Sequence, residues 1–261
     1  MELASSPAEP LLEARQDGIA TLTLNRPRQY NALSGALLER LHAALDSIAD
    51  DRQVRVVVIA AAGSAFCAGH DLKEMRSFAS HAEVEALFAR CGAFMQKLVA
   101  LPQPVIAQVN GLATAAGCQL VAQCDLAVAS ADARFAVSGV NLGLFCSTPA
   151  VALSRNIGRK RAAEMLMTGE FIDAETALDW GLLNRVCPPD RLAESVHDLA
   201  RHLIAKPPET LALGKALFYR QLEASLAAAY EDATRTIACN FAQPAATEGI
   251  AAFLEKRPPR R

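Results

Sequence analysis

The apolar residues of the first sixty positions change period twice. "LLEAR" and "IATLTLN" alternate imperfectly about "QDG", and an Asp-Gly turn between two such stretches predicts a β-hairpin. Leu37, Leu38, Leu41, Leu45 and Ile48 then recur at three- and four-residue spacing behind Ser34, which predicts a helix with Ser34 as its N-cap. "VRVVVIA", residues 54–60, is an unbroken apolar run rich in β-branched residues, the pattern of a strand covered on both faces. "AAGSAFCAGHDLKEM" reads as loop, and Val84, Leu87, Phe88, Cys91, Met95 and Leu98 mark a second amphipathic helix. "PVIAQVNG" is another covered strand, "ATAAGCQL" (113–120) a loop of small residues entering a short helix, and "DLAVAS" and "ARFAVS" two further strands. Strand and helix alternate through the first two-thirds, which is α/β. From Thr148 helical patterns dominate. In "DAETALDWG" Asp173 is the expected N-cap and Gly181 lies just past the end. The tail "EKRPPRR" is expected to fray.

Composition narrows this little. A chain of 261 residues, 52% hydrophobic and 21% charged, can bury one sizeable core, with a single domain and an appended element as the default. A net charge of -2 offers no basic face for a phosphate backbone, so no nucleic-acid partner is expected. The start, with three glutamates and no basic-then-apolar leader pattern, and the lack of any apolar run near 18 residues predict a soluble, cytoplasmic protein without a membrane partner. The seven cysteines are odd in number and contain no C-x-x-C, so they read as reduced, mostly buried thiols and no metal site is expected. No G-x-G-x-x-G supports a dinucleotide site.

Chemistry enters with two loops. "SAFCAGHDL" and "NGLATAAGCQL" each leave a covered strand and offer small residues with free backbone N–H groups, the second at the start of a helix. Side by side they would form an oxyanion hole for a carbonyl substrate; separately they are turns. Gln119 is the only long polar side chain beside the second loop. Its amide can orient a water or a substrate oxygen but has no useful proton affinity at neutral pH.

Six ordered blocks, "LNRPRQYNALS", "GSAFCAGHDLKEM", "LPQPVIAQVNGLATAAGCQLVAQCDLAVAS", "ARFAVSGVNLG", "EMLMTGEFIDAETALDWGLLNRV" and "EGIAAFLEKR", resemble the enoyl-CoA hydratase/isomerase (crotonase) superfamily from about residue 11 to 257. The resemblance implies an α/β spiral of ββα units, a core over 1–200 holding an acyl-CoA site, and a helical region over 201–261 that closes a homotrimer or a dimer of trimers. It implies a lyase or isomerase of fatty acid metabolism whose ligand is an acyl-CoA thioester, coenzyme A arriving as part of the substrate and no separate cofactor being required. The thioester carbonyl would sit between the N–H groups of His70 and of Ala116, where the family usually has glycine. Arg28, Tyr30, Ala32, Ala68, Asp71 and Leu72 match positions lining the CoA site. Lys256 matches a lysine that reaches the nucleotide phosphates in some members, in places from a neighbouring subunit; as residue alone it is a solvated tail lysine.

The pattern breaks at the acyl end. Family hydratases carry glutamate at two positions that are Gln119 and Gly139 here. Hydration needs a base and an acid, so ordinary hydratase activity is expected to be weak or absent. Gly139 is expected to have a backbone angle that glutamate resists. Cys146, Ser147 and Thr148 replace a glycine-rich stretch and read as turn and N-cap residues or as groups facing the acyl chain; Ser138 and Asn141 are similarly placed. The His70 ring either packs locally or titrates near neutrality as an acid or base. "AGHDL" also resembles members that decarboxylate malonyl-type thioesters, so base-independent chemistry and a non-catalytic acyl-CoA binder stand beside the hydratase/isomerase reading. Asp125 is expected to end a helix and fix a turn.

Overall fold

The computed structural model describes residues 9–260. Residues 1–8, on which the leaderless reading of the start partly rests, and Arg261 lie outside the described residues.

The hairpin is β1 (Leu11–Gln16) and β2 (Ile19–Leu24), antiparallel, with Asp17 and Gly18 at positive φ (51° and 80°) in the turn. That is the primed geometry an Asp-Gly pair favours. Helix α1 (Gly35–Ala49) starts where Ser34 accepts the Leu37 N–H, and it buries the expected leucine stripe. β3 (Val56–Ala61) is paired in parallel on both edges and buried on both faces, as its unbroken apolar run demands.

The stretch expected to be loop after β3 holds two elements instead: β4 (Ala65–Cys67) and α2 (Leu72–Ser77). β4 is too short to carry a period and pairs with a strand far along the chain, Ala65 with Leu112 and Cys67 with Ala113, and α2 depends on its cap, the Asp71 carboxylate accepting from Lys73 and Glu74 N–H. Helix α3 (His81–Ala100) opens with a Ser80/Glu83 capping box. There follow β5 (Val105–Val109), β6 (Leu112–Thr114), α4 (Ala116–Gln123), β7 (Leu126–Ser130), β8 (Arg134–Ala136), α5 (Ser147–Asn156), α6 (Arg159–Thr168), β9 (Ile172–Asp173), α7 (Ala174–Asp179) and β10 (Arg185–Cys187). Asp173 caps α7 by accepting the Thr176 N–H, and Gly181 follows at φ 87°. α5 begins at Ser147 with Cys146 at its N-cap and no side-chain capping bond, so Thr148 lies inside the helix.

The strands form two sheets, β1-β2-β3-β5-β7-β10 and β4-β6-β8-β9. Each turn of the chain gives one strand to the larger sheet and the next to the smaller, β3/β4, β5/β6 and β7/β8, before helices return it. This is the expected spiral of ββα units. The main core lies between the sheets and helices α1, α3 and α4; a second cluster, with Val56, Val58 and Ile106, is covered by α8 (Leu192–Ile204), which spans the position 200 taken as the end of the core.

The chain ends in α9 (Pro208–Leu222), α10 (Leu226–Phe241) and α11 (Pro244–Leu254). One buried polar cluster fastens α9. Lys215 Nζ donates to Asp125 (2.7 Å) and to the Leu98 and Gln103 carbonyls, and the Tyr219 hydroxyl donates to Asp125 (2.8 Å). Asp125 also accepts the Val105 N–H at 2.7 Å, so instead of fixing a local turn, as expected, it ties the start of β5 to α9. Beyond this anchor the helices leave Phe218, Leu222, Leu226, Tyr230, Ile237 and Phe241 exposed. The tail does not fray at Arg257, which pairs with Glu248 at 2.6 Å, while the Arg260 N–H donates to the same carboxylate.

Candidate active site

The site forms where successive turns of the spiral cross from the larger sheet to the smaller. Asn31, which the sequence reading passed over, holds the first strip in place. Fully buried at φ 55°, it accepts the Arg26 N–H and donates to the carbonyls of Ala62 and Ala65 at 2.8 and 2.7 Å. The loop after β2 is thereby sewn to the β3–β4 connection. Ala68 N–H donates to the Tyr30 carbonyl, Leu33 N–H to the Gly69 carbonyl (2.7 Å) and Asp71 N–H to the Leu33 carbonyl. Arg26 closes the strip, donating to the Ala32 carbonyl and to Asp71 at 2.8 Å.

The structure therefore brings Arg28, Tyr30 and Ala32 alongside Ala68, Asp71 and Leu72. Arg28, Tyr30 and Leu72 face solvent, whereas Ala32 is buried. Asp71 is occupied structurally. Burial would raise its pKa, but the Arg26 hydrogen bond and charge and the Glu74 and Lys73 amides hold the carboxyl below its usual range. Lys256 is elsewhere: it follows α11 at φ 57°, exposed, and has no hydrogen bond or ion pair with these loops.

The second strip is the start of α4. Every residue but glycine is excluded at 117, because a Cβ there would fall on the Cys67 carbonyl. This explains the small residues of "ATAAGCQL": α4 lies directly on the end of β4. A Cβ on Gly69 (φ 94°) would likewise come within 3.3 Å of Ala116 N.

Two donors result. The Gly69–His70 peptide spends its carbonyl on Leu33, and in a trans peptide the His70 N–H points the opposite way. Ala116 is the first residue of α4, so its N–H has no partner within the helix, and no other described residue accepts it or the His70 N–H. Two neighbouring donors, one backed by a helix N-terminus, can take a single oxygen and stabilise negative charge on it.

The side chains around them are neutral. The His70 ring packs edge-on against Phe88 at 4.8 Å, and its Nε2 is buried without a partner. Burial pushes its pKa down to about 4, so of the two roles open to the ring, local packing and titration near neutrality, the structure favours packing, with the ring uncharged at neutral pH. Gln119 is 3% exposed, one turn along α4 from Ala116, and its Oε1 is also buried without a donor. Buried polar groups are seldom left unpaired, and these two atoms can each still form a hydrogen bond with a ligand or water.

Gly139 lies in the bend after β8, where its carbonyl accepts the Leu144 N–H at 3.0 Å. It has no positive φ, so the expected obstacle to glutamate is corrected: a Cβ there would lie 2.5 Å from the Leu144 carbonyl oxygen and 2.8 Å from Cys146 Sγ. The obstacle is steric. Cys146 fills that space, receives the Gly139 N–H, and has its thiol pKa raised by burial. Asn141 donates weakly to the Gly169 carbonyl (3.4 Å) and Ser147 to that of Phe145 (3.3 Å). All seven cysteines are free thiols, five of them buried.

A two-sheet spiral of ββα turns with C-terminal helices is the fold of the crotonase class. The family model described as enoyl-CoA hydratase/isomerase matches residues 14–260, and the chain belongs to that family, which acts on acyl-CoA thioesters. It is 46% identical to the mouse enoyl-CoA hydratase domain-containing protein 3, mitochondrial, over 98% of this chain and 86% of that protein. A crystal structure of a Mycobacterium smegmatis enoyl-CoA hydratase superposes with a TM-score of 0.95 at 58% identity, covering 96% of this chain and 98% of that one. The human enoyl-CoA hydratase domain-containing protein 3 gives 0.94 at 45%, covering 97% and 100%. "Mitochondrial" in the mouse protein's name sits against the cytoplasmic expectation for this chain. Among the described residues no helix is long and apolar enough to cross a membrane.

Proposed function

We propose that the protein holds an acyl-CoA thioester with its carbonyl oxygen between the N–H groups of His70 and Ala116, and that ordinary hydration of enoyl-CoA is weak or absent. The observation that carries this is the pairing of two unsatisfied donors with an acyl end lacking both carboxylates, Gln119 being neutral and position 139 being a glycine crowded by the Leu144 carbonyl and Cys146. The CoA moiety would run along Arg28, Tyr30, Ala32, Ala68, Asp71 and Leu72. Acid and base catalysis each contribute roughly 10²–10⁴ in rate, so their joint loss leaves binding and carbonyl polarisation without efficient water addition.

The buried, uncharged His70 favours a second reading. Decarboxylation of a malonyl-type thioester needs the donor pair but no strong base, because loss of CO₂ itself leaves the enolate. The exposed apolar faces of α9 to α11 support assembly into a trimer or a dimer of trimers, with Lys256 reaching a neighbouring subunit's nucleotide.

The test is calorimetry with crotonyl-CoA and saturated acyl-CoAs, with product mass followed after incubation with crotonyl- and malonyl-CoA. Micromolar binding with little or no water addition is expected. Turnover of crotonyl-CoA on the order of hundreds per second would overturn the weak-hydration reading, and no binding of any thioester would overturn the whole. A monomer mass by light scattering at micromolar concentration would contradict the assembly.

A further inference from the structure

Ala115, at the mouth of α4, has a backbone that belongs to glycine. Its φ of 49° and ψ of -118° match the first central position of a type II′ turn, where a Cβ is crowded. The chain clamps it from both sides: its N–H donates to the Ala136 carbonyl at 2.9 Å, and its own carbonyl accepts the Gln119 N–H at 3.0 Å. Glycine would sit here without strain, so the methyl group is kept at a cost.

The direction of that methyl indicates its use. A Cβ built on Gly69 would meet the Ala115 Cβ at 2.9 Å, so the methyl stands against the Gly69 α-carbon, next to the peptide that carries the His70 N–H. On its other side the same peptide is held by Leu33 through the Gly69 carbonyl. The Gly69–His70 peptide is thus gripped between Leu33 and Ala115. Resting on the acyl-thioester reading above, we infer that Ala115 is a positioning residue whose methyl buttresses this peptide and fixes the separation of the His70 and Ala116 donors.

The strained methyl then serves polarisation of the bound carbonyl rather than stability. Hydrogen-bond strength falls steeply with misalignment, so a gap the size of a methyl group beside Gly69 lets the peptide tilt and weakens the pull on the oxygen. Stability and polarisation should therefore move in opposite directions when the methyl is removed. A residue with only a structural role would not separate them.

Cinnamoyl-CoA, whose absorption moves to longer wavelength as its thioester carbonyl is polarised, reads this directly. The expected result is that Ala115→Gly melts about 2–4 °C higher than the unaltered protein, as relief of about 1 kcal/mol gives for a chain of this size, and binds the probe with similar affinity yet loses most of the red shift. Ala115→Ser, which keeps the Cβ, should keep the shift. A full red shift in Ala115→Gly, or a lower melting point for that variant, would overturn the inference while leaving acyl-CoA binding intact. Failure of the unaltered protein to bind any thioester would overturn the reading on which it rests.

Discussion

On the acyl-thioester proposal, the two ends of the binding site, thioester and acyl, are built by opposite means. At the thioester end the working groups are main-chain N–H donors, and they are fixed by crowding: Gly69 lies against Ala115 and Ala116, and Gly117 lies on the Cys67 carbonyl. At the acyl end the groups are side chains, and two of them stand unpaired, Gln119 Oε1 and His70 Nε2. The bend from Gly139 to Cys146 carries Leu142, Leu144 and Phe145 exposed. Rigid donors and unsatisfied neutral side chains suit a protein that grips and polarises a carbonyl. They do not suit one that moves protons to and from water.

Adding one methyl group at each end breaks this comparison most directly. Gly117→Ala should be the most damaging change. Its Cβ meets backbone that cannot rotate away, so a loss of about 3 kcal/mol or more is expected, together with loss of thioester binding, measured by denaturant unfolding and calorimetry. Unchanged stability in that variant would mean that α4 and β4 are not in the contact described.

The His70 ring comes next. Its folded pKa of about 4 lies below the ordinary 6.5, so between those values the unfolded chain binds more protons and stability is lost as pH falls. From pH 6.5 down to 4 the loss should reach about 2–3 kcal/mol, and His70→Phe should remove that share of the slope. An identical slope in both proteins would show that the ring is not desolvated.

Gly139→Ala is expected to cost less, about 1–2 kcal/mol, because the exposed bend can shift where β4 cannot. Cys146→Ala in the same chain should recover only part of this, since the Leu144 carbonyl remains in the way. The smallest change is Gln119→Met. Removing a buried acceptor that has no donor should stabilise the unliganded protein by about 1 kcal/mol while weakening whatever bond the amide offers a ligand. A loss of stability instead would show that the amide is already satisfied.

Most of the fold was legible because its signals are local. The Asp17-Gly18 turn, the Ser34 cap, the leucine stripe of α1 and the run that became β3 each lie within a few neighbouring residues. β4 and α2 were not legible, one being three residues long and paired far along the chain, the other depending on a single carboxylate cap. For the site, sequence pointed to the loops but not to what fixes them. Asn31 bonds to carbonyls 31 and 34 residues away, and Asp125 meets Lys215 and Tyr219 across 90 and 94 residues; no periodicity carries such pairings. A buried asparagine with its whole amide engaged looks in sequence like any turn residue. The alanine that the sequence reading singled out was Ala116, yet the strained one is Ala115, since composition tells which residue replaces a glycine but not which backbone is turned over.

Neighbouring positions of the α4 entrance differ in how much change they can survive. At 117 the excluded volume begins at the first side-chain atom, so in a saturation library every replacement should be lost together, without regard to polarity or size. Two residues earlier the limit is conformational rather than volumetric, and the library should instead be graded, with glycine and serine retained and β-branched residues depleted. One short segment would then show both an absolute and a tunable constraint, and only the tunable one gives selection room to adjust the proposed grip on the carbonyl.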